Sequence, residues 1–537
     1  MNKIFSTALA AGIAVSAFAN GAVENPYQPP RKKLIDMSWS NPSITYLTAN
    51  LERMEKEAPI DGITLRLEGE KVENGKKIKV YSHNTITKDK FKYEYFAKDI
   101  AALKKLKFKR FTDNFLYTTM TPAKNMDWFD DAYWDSICSN YALLARISRE
   151  AKLTGIVFDS EEYGGRIWGN YKGSDRAKAV TKARQRGQEW GKAVFKENPE
   201  VKILCLFFFS HGTFIMGDAE ASTLIHSFYN GVLDVMPPTA TIIDGHEYFG
   251  YFGKNRNCFV QLRYDVDHTF LARVSANNYK KYRNQVQLAA PLYIDALTGV
   301  NASFNRYLVP EIANQPKVDF IRQVLWNAMD VSDEYVWFYS ERGCWWDKST
   351  HPKVKGSWEK QVPGINAALQ ELSAISALDL NKAKNLLIIP QLNKDPATKE
   401  PGKWNFWCQN NKDPKKQSGW KDGKVYITGP QTNSCANQLV EVKPGKTYLF
   451  KVEARPRSPK NSSLVYMGVA FRNAAGKFLP LRRELRIKPL EFGNWESMVF
   501  LITAPADAKF ASYQLGVRGL LADQVVEFQR PQLLELP

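Results

Sequence analysis

Cysteine is scarce in this chain, with six residues in 537. The cysteines are far apart, with no Cys-x-x-Cys pair and no histidine at metal-site spacing. This pattern excludes a disulfide scaffold and argues against structural zinc. Cys408 and Cys435 do fall in one C-terminal segment, where they could pair in an oxidising compartment.

Long apolar runs are also lacking beyond the N-terminus, which argues against any integral membrane contact. The N-terminus itself has Lys3, an apolar run from Ile4 to Phe18, and a small-x-small site at Ala17-Phe18-Ala19. These features predict a signal peptide over residues 1–19. We therefore expect a bacterial protein that is secreted or periplasmic.

Several catalytic signatures are missing. The chain has no serine nucleophile elbow, no Walker loop and no His-Glu-x-x-His, which argues against common hydrolases, NTPases and metalloproteases. No glycine-rich phosphate turn follows the first predicted strand, which disfavours a doubly wound nucleotide-binding sheet. We predict no cofactor and no metal, although clustered acids from several strands could in principle hold a cation.

What the chain does have is a globular composition, 44% hydrophobic and 24% charged, at a length that implies more than one domain. Its net charge is +18, and residues 381–537 contribute 25 Lys and Arg against 13 Asp and Glu. In an exported protein this excess favours acidic polymers over nucleic acid as partners, although solubility alone would also explain it.

Residues 20–380 alternate strand-like and helix-like segments. The predicted strands are Leu34–Met37, Gly62–Leu67, Arg110–Asp113, Gly155–Asp159, Lys202–Phe209, Thr241–Asp244, Leu288–Ile294 and Tyr335–Tyr339. Eight such units predict an α/β (β/α)8 TIM barrel, the catalytic domain. Residues 381–537 show short alternating strands instead, which predicts an all-β antiparallel sandwich of the jelly-roll kind.

Reactive groups of such barrels lie where the strands end. The fourth predicted strand ends in Asp159, Glu161, Glu162 and Tyr163. Strand alternation turns Asp159 and Glu161 into the barrel, while Ile156 and Phe158 face the helices. Clustered carboxylates repel one another unless a site uses them, so we predict Glu161 or Glu162 as a catalytic acid.

Later strand ends supply further candidates. The eighth strand places Trp337 and Glu341 on one face, and an aromatic setting suits both a carboxylic acid and a sugar ring. We therefore predict Glu341, with Asp295 as the less favoured alternative, as the second catalytic carboxylate. The predicted substrate-binding residues are Asp159, Tyr163, Asp244, His246, Asp295, Trp337, Trp345 and Trp346.

The barrel resembles the retaining glycoside hydrolases of the clan that includes cellulases and β-galactosidases. In that clan a Glu after strand four is the acid/base, a position matched by Glu161 or Glu162, and a Glu after strand seven is the nucleophile. Here the seventh strand offers Asp295, and Ser160 stands where the clan has Asn. Gly155 to Glu161 is also similar to the fourth-strand motif of family 18 chitinases, which again selects Glu161.

Residues Asn385 to Leu536 resemble carbohydrate-binding modules of the family 4/9 type, through Asn385-Leu386-Leu387, Gly419-Trp420 and Gly493-Asn494-Trp495. Together with the predicted signal peptide, the two resemblances imply an exported glycoside hydrolase that cleaves a poly- or oligosaccharide between two carboxylates. The basic excess leaves an anionic glycan open as the substrate. The alternatives are a non-catalytic glycan-binding protein with a degenerate barrel, and a barrel that uses its acids on a metal.

Overall fold

The protein is described here by a computed structural model. It describes residues 31–119, 126–161, 167–169, 175–211, 223–300, 317–349, 351–380, 383–389, 404–409, 418–458, 463–487 and 493–536.

The N-terminal part is a sheet of nine parallel strands. Their bounds are β1 (Lys33–Asp36), β2 (Gly62–Leu65), β5 (Phe115–Thr119), β6 (Gly155–Asp159), β7 (Lys202–Cys205), β8 (Thr241–Asp244), β9 (Val286–Leu288), β10 (Ala290–Tyr293) and β11 (Tyr335–Tyr339). An exposed hairpin, β3 (Glu68–Glu73) and β4 (Lys76–Tyr81), is inserted after β2.

The sheet closes into a barrel. Its order is β10-β11-β1-β2-β5-β6-β7-β8-β9, and Ala289 alone separates the two end strands. One stretch of chain therefore pairs with β8 through β9 and with β11 through β10. Because these two short strands occupy one position, the predicted eight-fold βα pattern is confirmed.

Helices surround this sheet. Their bounds are α1 (Ile44–Glu57), α2 (Ala97–Lys105), α3 (Asp131–Glu150), α4 (Arg176–Glu197), α5 (Thr223–Val235), α6 (Arg256–Tyr264), α7 (Tyr279–Gln285), α8 (Ile294–Thr298), α9 (Lys317–Val331), α10 (Trp358–Gln361) and α11 (Ile365–Ser376). Within the described ranges, no helix is both long enough and apolar enough to cross a bilayer.

Alternation along β6 follows the prediction. Phe158 faces outward and packs against Trp190 of α4 and Phe228 of α5, with ring centroids 5.6 and 6.1 Å apart. Val157 faces inward and shares a buried cluster with Leu204 and other residues of the barrel interior. The same parity brings Asp159 to the inner face at the end of the strand.

The third barrel strand differs from its prediction. It runs from Phe115 to Thr119, not over Arg110–Asp113. The amides of Lys109, Arg110 and Phe111 all donate to one carboxylate oxygen of Glu55 on α1, at 2.8–3.0 Å. These three backbone amides are already hydrogen-bonded to Glu55 and are not available to a neighbouring strand. The β-branched and aromatic residues that follow therefore form the strand instead.

The C-terminal part is a sandwich of two antiparallel five-stranded sheets, ordered β12-β15-β20-β17-β18 and β13-β14-β21-β16-β19. The strands are β12 (Asn405–Cys408), β13 (Ser418–Lys421), β14 (Lys424–Thr428), β15 (Gln431–Glu441), β16 (Thr447–Pro456), β17 (Leu464–Arg472), β18 (Phe478–Ile487), β19 (Glu496–Thr503), β20 (Phe510–Leu520) and β21 (Val525–Glu535). Apolar side chains of both sheets fill the space between them, which confirms the predicted all-β region.

The sandwich rests on helices α9 and α11 of the barrel. Leu449, Val499 and Leu534 belong to the same buried apolar cluster as the barrel helices. At this contact the Glu371 carboxylate accepts from Arg322 at 2.6 Å and from Arg483 of the sandwich at 2.9 Å. The interface is thus both apolar and ionic.

Cys408 and Cys435 lie on neighbouring strands but do not pair. Cys408 is opposite Ser434, and Cys435 is opposite Trp407. Directly opposed residues share a face, so the two thiols point to opposite faces of the sheet and form no disulfide with each other. The strand register rules out the disulfide that the sequence left open.

Candidate active site

A cavity of about 570 Å³ opens where the barrel strands end. Three acidic residues contribute to its wall: Asp159, Glu161 and Glu247. Aromatic side chains of Trp39, Tyr117, Trp337 and Tyr339 line it as well. Its size and mixed lining fit a small polar ligand with flat apolar faces.

Asp159 ends β6 and is held by its neighbours. Its carboxylate accepts from the Tyr117 hydroxyl of β5 at 2.6 Å and from the amide of Glu161 at 2.9 Å. Burial raises its pKa, and those hydrogen bonds partly offset the rise. Asp159 therefore fixes the backbone that carries Glu161, which is half-buried on the same cavity wall.

Glu247 reaches the cavity from the turn after β8. Gly245 donates to the carbonyl of Cys205 at 2.8 Å, and Glu247 donates to the carbonyl of Leu206 at 2.9 Å. Between them, His246 has a left-handed backbone with φ of 42°. Such a conformation is unusual for a residue with a side chain, and here it turns Glu247 toward the barrel axis.

Glu247 is the most perturbed acid of this wall. It is 5% exposed, and its Oε2 has no hydrogen-bond partner within the described residues. Its Oε1 accepts from the Tyr251 hydroxyl at 3.3 Å. Burial first, and then the charges of Glu161 and Asp159, raise its pKa well above the usual value near 4.5. The protonated form of this carboxyl group is therefore favoured more strongly than that of an ordinary glutamate.

Sequence reasoning missed Glu247. Strand alternation applied beyond Asp244 selects His246 and skips the next residue, but the left-handed turn breaks that alternation. The signal that pointed to the region was the run Asp244-Gly245-His246-Glu247 itself, with its glycine directly after the strand. That glycine is tightly enclosed, since an added Cβ would lie 2.8 Å from the Cys205 carbonyl oxygen.

A series of tyrosines connects Glu247 to the barrel wall. Tyr251, which donates to Glu247, packs edge-on against Tyr293 of β10 with ring centroids 5.0 Å apart. Tyr293 in turn packs against Tyr339 of β11 at 5.1 Å. This series crosses the seam where the barrel closes.

Basic residues line the side of the cavity formed after β2 and in the loop after β11. They are Arg66, His83, His351 and Lys353. The pKa of His83 is lowered to about 4, chiefly by burial and then by the charge of Arg66. The pKa of His351 is also lowered, first by burial and then by Arg66 and Lys353. Both imidazoles are therefore neutral at pH 7, and the positive charge of this wall comes from Arg66 and Lys353.

Three predicted carboxylates do not line the cavity. Asp244 accepts from Ser210 at 2.8 Å and from the amide of His246 at 3.1 Å, so it shapes the turn that carries Glu247. Asp295 accepts from the amides of Glu341 and Arg342 at 2.8 and 2.9 Å. Glu341 accepts from the Tyr339 hydroxyl at 3.4 Å, outside the cavity wall. Burial raises the pKa of Asp244 and that of Asp295 to about 6.

The aromatic candidates divide in the same way. Trp337 lines the cavity and donates from its indole nitrogen to the Gly245 carbonyl at 2.9 Å. Trp345 is buried and donates to Asp36 at 3.1 Å, and Trp346 is buried in the same core. His246 is buried against Phe249 and Phe270. Glu162 and Tyr163 lie outside the described residues.

Clustered acids at strand ends are also potential metal ligands. Among the residues that the structure describes, no group of three His, Cys, Asp or Glu side chains is placed to hold a metal ion. The carboxylates of Asp159 and Glu247 instead accept from the hydroxyl groups of Tyr117 and Tyr251. Burial, and then the charges of Glu161 and Asp159, favour the protonated form of Glu247, which can donate its proton to a ligand.

Comparisons with known proteins give weak matches. No family model and no curated protein matches the chain. An α-amylase from Geobacillus thermoleovorans in complex with acarbose is 11% identical over 90% of this chain and 98% of that chain, with a TM-score of 0.37. A structure described as "CBM4 structure and function" is 18% identical over 28% of this chain and 94% of that chain, with a TM-score of 0.20.

The chain also matches the enzymatically active domain of bacteriophage CBA120 tailspike protein 4. That match has 10% identity and a TM-score of 0.19, and it spans 25% of this chain but only 18% of the tailspike chain. Because all these scores are low, the barrel and the sandwich are assigned from their own strand order.

Proposed function

We propose that the chain is a glycoside hydrolase in which Glu247 is the general acid and Glu161 is the second carboxylate. The observation that carries the proposal is the buried carboxyl group of Glu247, with one oxygen unpartnered within the described residues, in a cavity shared with Glu161. Its raised pKa keeps a proton available at the pH where an ordinary glutamate has lost it.

The proton and electron movements follow from this assignment. The Glu247 carboxyl group donates its proton to the glycosidic oxygen as the bond to the anomeric carbon breaks. The Glu161 carboxylate either attacks that carbon or takes a proton from a water molecule that attacks it. Asp159 is a positioning residue, since it accepts from the amide of Glu161. Trp39 and Tyr339, which are half-buried on the cavity wall, offer ring faces for sugar stacking, whereas Trp337 is only 1% exposed.

This proposal moves the acid from the fourth strand to the sixth. The sequence favoured Glu161 or Glu162 as the acid and Glu341 as its partner. Glu161 keeps a catalytic role here, while Glu341 does not line the cavity. A retaining mechanism needs carboxyl groups about 5–5.5 Å apart, and an inverting mechanism needs them about 6.5–9.5 Å apart. The anomeric configuration of the product therefore reports the separation of the two catalytic carboxyl groups.

We further propose that the sandwich binds glycan and that residues 1–19 direct export. Of the three tryptophans in its first strands and loops, Trp407 is 47% exposed on edge strand β12. Trp404 and Trp420 pack against each other, with ring centroids 5.7 Å apart, and belong to the core. Trp407 is therefore the tryptophan best placed to stack on a sugar.

The test is a product screen on poly- and oligosaccharides with the full chain, its Glu161→Gln variant, and Glu359→Gln as a matched control outside the cavity. We expect wild type and control to release sugars from at least one glycan, and Glu161→Gln to bind that glycan but cleave it about 10²–10⁴-fold more slowly. Binding without cleavage by the wild type would favour the non-catalytic alternative. Equal turnover by Glu161→Gln would remove that residue from the mechanism.

A further inference from the structure

The basic wall of the cavity is a candidate specificity site. Arg66 lies just beyond β2 and is half-buried. Its side chain makes no hydrogen bond or ion pair within the described residues, and its buried Nε is without a partner there. Removing a guanidinium from water without a partner is unfavourable, so such a group is suited to an incoming anion.

Two further polar atoms on this wall also lack a hydrogen-bond partner among the described residues. They are His83 Nδ1 and Asn41 Oδ1, and both atoms are buried. Both residues line the cavity together with Arg66. Three unpartnered polar groups on one wall form a site whose hydrogen bonds are left for a ligand.

Lys353 adds a second positive charge at the rim. Its ammonium lies over the Trp39 ring, 4.4 Å from the centroid. Trp39 in turn packs edge-on against His351, with ring centroids 5.2 Å apart. The cation–π contact holds Lys353 beside the cavity without neutralising its charge.

One wall of the cavity is therefore acidic and the other basic. Asp159, Glu161 and Glu247 lie at the ends of β6 and β8, across the barrel from Arg66 and Lys353, which follow β2 and β11. The hydroxyl groups of a neutral sugar could hydrogen-bond to the acidic residues. A neutral sugar would, however, leave the guanidinium group of Arg66 desolvated and without an anionic partner. We propose that the substrate is an acidic glycan, whose carboxylate or sulfate group binds Arg66 and Lys353 while the bond to be cleaved faces Glu161 and Glu247.

This inference rests on the proposed function for the position of the cleaved bond, but its test measures binding alone. The probes are oligosaccharides of polygalacturonate and alginate with their carboxyl-reduced forms, and of carrageenan and chondroitin sulfate with their desulfated forms. Each is titrated calorimetrically into full-length wild type, Arg66→Gln, Lys353→Gln and Arg283→Gln. Arg283 is exposed on α7 away from the cavity lining, so the last variant removes the same charge elsewhere.

We expect the wild type to bind at least one acidic probe and to bind its neutralised form at least about tenfold more weakly. Arg66→Gln should lose about 10–150-fold in affinity for the acidic probe, as expected for a hydrogen bond to a charged group. Lys353→Gln, at an exposed residue whose loss leaves the core intact, should lose up to about fivefold. Arg283→Gln should match the wild type. Comparing each acidic probe with its carboxyl-reduced or desulfated form shows whether the site binds a carboxylate or a sulfate group.

Three results would overturn the proposal: no acidic probe bound by the wild type, equal affinity for an acidic probe and its neutralised form, or unchanged affinity in both Arg66→Gln and Lys353→Gln. An Arg66-dependent acidic glycan that the wild type leaves uncleaved would instead count against the proposed hydrolase and leave the anion site standing.

Discussion

The barrel mouth holds two groups of buried carboxyl groups at the ends of neighbouring strands. Asp244 and Asp295 accept hydrogen bonds from backbone amides and hold the turns that follow β8 and β11. Glu247 is also buried, yet among the described residues its carboxylate accepts only from the Tyr251 hydroxyl, at 3.3 Å. One oxygen of Asp244 is likewise without a partner there, so neither burial nor an unpartnered oxygen separates the two groups. What separates them is whether backbone amides donate to the carboxylate and thereby stabilise its charged form.

The largest expected effect comes from Glu247→Gln. Removing the proposed acid should lower turnover about 10²–10⁴-fold on a confirmed substrate, because the glutamine cannot donate the proton. The fold should persist, since glutamine is similar in size and neutral like the protonated glutamic acid. Steady-state kinetics beside circular dichroism measures both. Turnover near the wild-type level would place the acid elsewhere.

The same variant should change how stability depends on pH. The folded pKa of Glu247 lies above its unfolded value, so its contribution is fully present below about pH 4.5 and is lost as pH rises through the folded pKa. Glu247→Gln lacks this titration. Thermal melting from pH 4.5 upward should therefore show a smaller decline in the variant, and parallel curves would argue against the raised pKa.

Asp295→Ala tests the other group of acids. It leaves the amides of Glu341 and Arg342 without their acceptors, which should lower the free energy of unfolding by about 2–5 kcal/mol. Turnover per folded molecule should stay within a few-fold of the wild type. Denaturant titration and active-site-normalised kinetics separate these quantities. A stable variant without activity would move Asp295 into the catalytic group, as the seventh-strand resemblance implied.

Tyr251→Phe should have a smaller effect, seen in the pH profile. The Tyr251 hydroxyl favours the charged form of Glu247, so its loss should raise the pKa of the acid further. Because this hydrogen bond is long, the rise should be small, and the alkaline limb of the pH–rate profile should move slightly upward. A downward shift would contradict the assignment of Glu247 as the protonated acid.

Glu341→Gln should have the smallest effect. Its carboxylate lies outside the cavity wall, while its backbone amide, which Asp295 accepts from, is unchanged by the substitution. Stability should change by no more than about 0.5 kcal/mol, and turnover should remain near the wild-type level. A loss of 10²-fold or more would restore the role that the sequence predicted for Glu341.

The sequence predicted the barrel well where period-two alternation is regular. The strands ending at Asp159, Asp244 and Tyr339 match their predictions at the C-terminal end. It placed the third strand too early because the donors of that segment bind Glu55, a long-range contact that no local pattern records. The sandwich was recognised from its turns and alternating strands.

The site was harder to predict than the fold. Alternation correctly turned Asp159 and Trp337 inward, because both lie within regular strands. Glu247 was missed because its direction depends on one left-handed residue. Arg66 was missed because the predicted strand ran to Leu67 and placed it inside the strand, whereas β2 ends at Leu65. Trp345 and Trp346 were selected for their residue type, yet both are packing residues in the core.

The tyrosine series from Tyr339 through Tyr293 to Tyr251 has a consequence for spectroscopy. Its rings are 5.0–5.1 Å apart and asymmetrically packed, so they should contribute to the near-ultraviolet circular dichroism of the folded chain. They also span the closing seam of the barrel and end at Glu247. The protein thus carries an intrinsic optical probe of whether the barrel is closed and its proposed acid is in place.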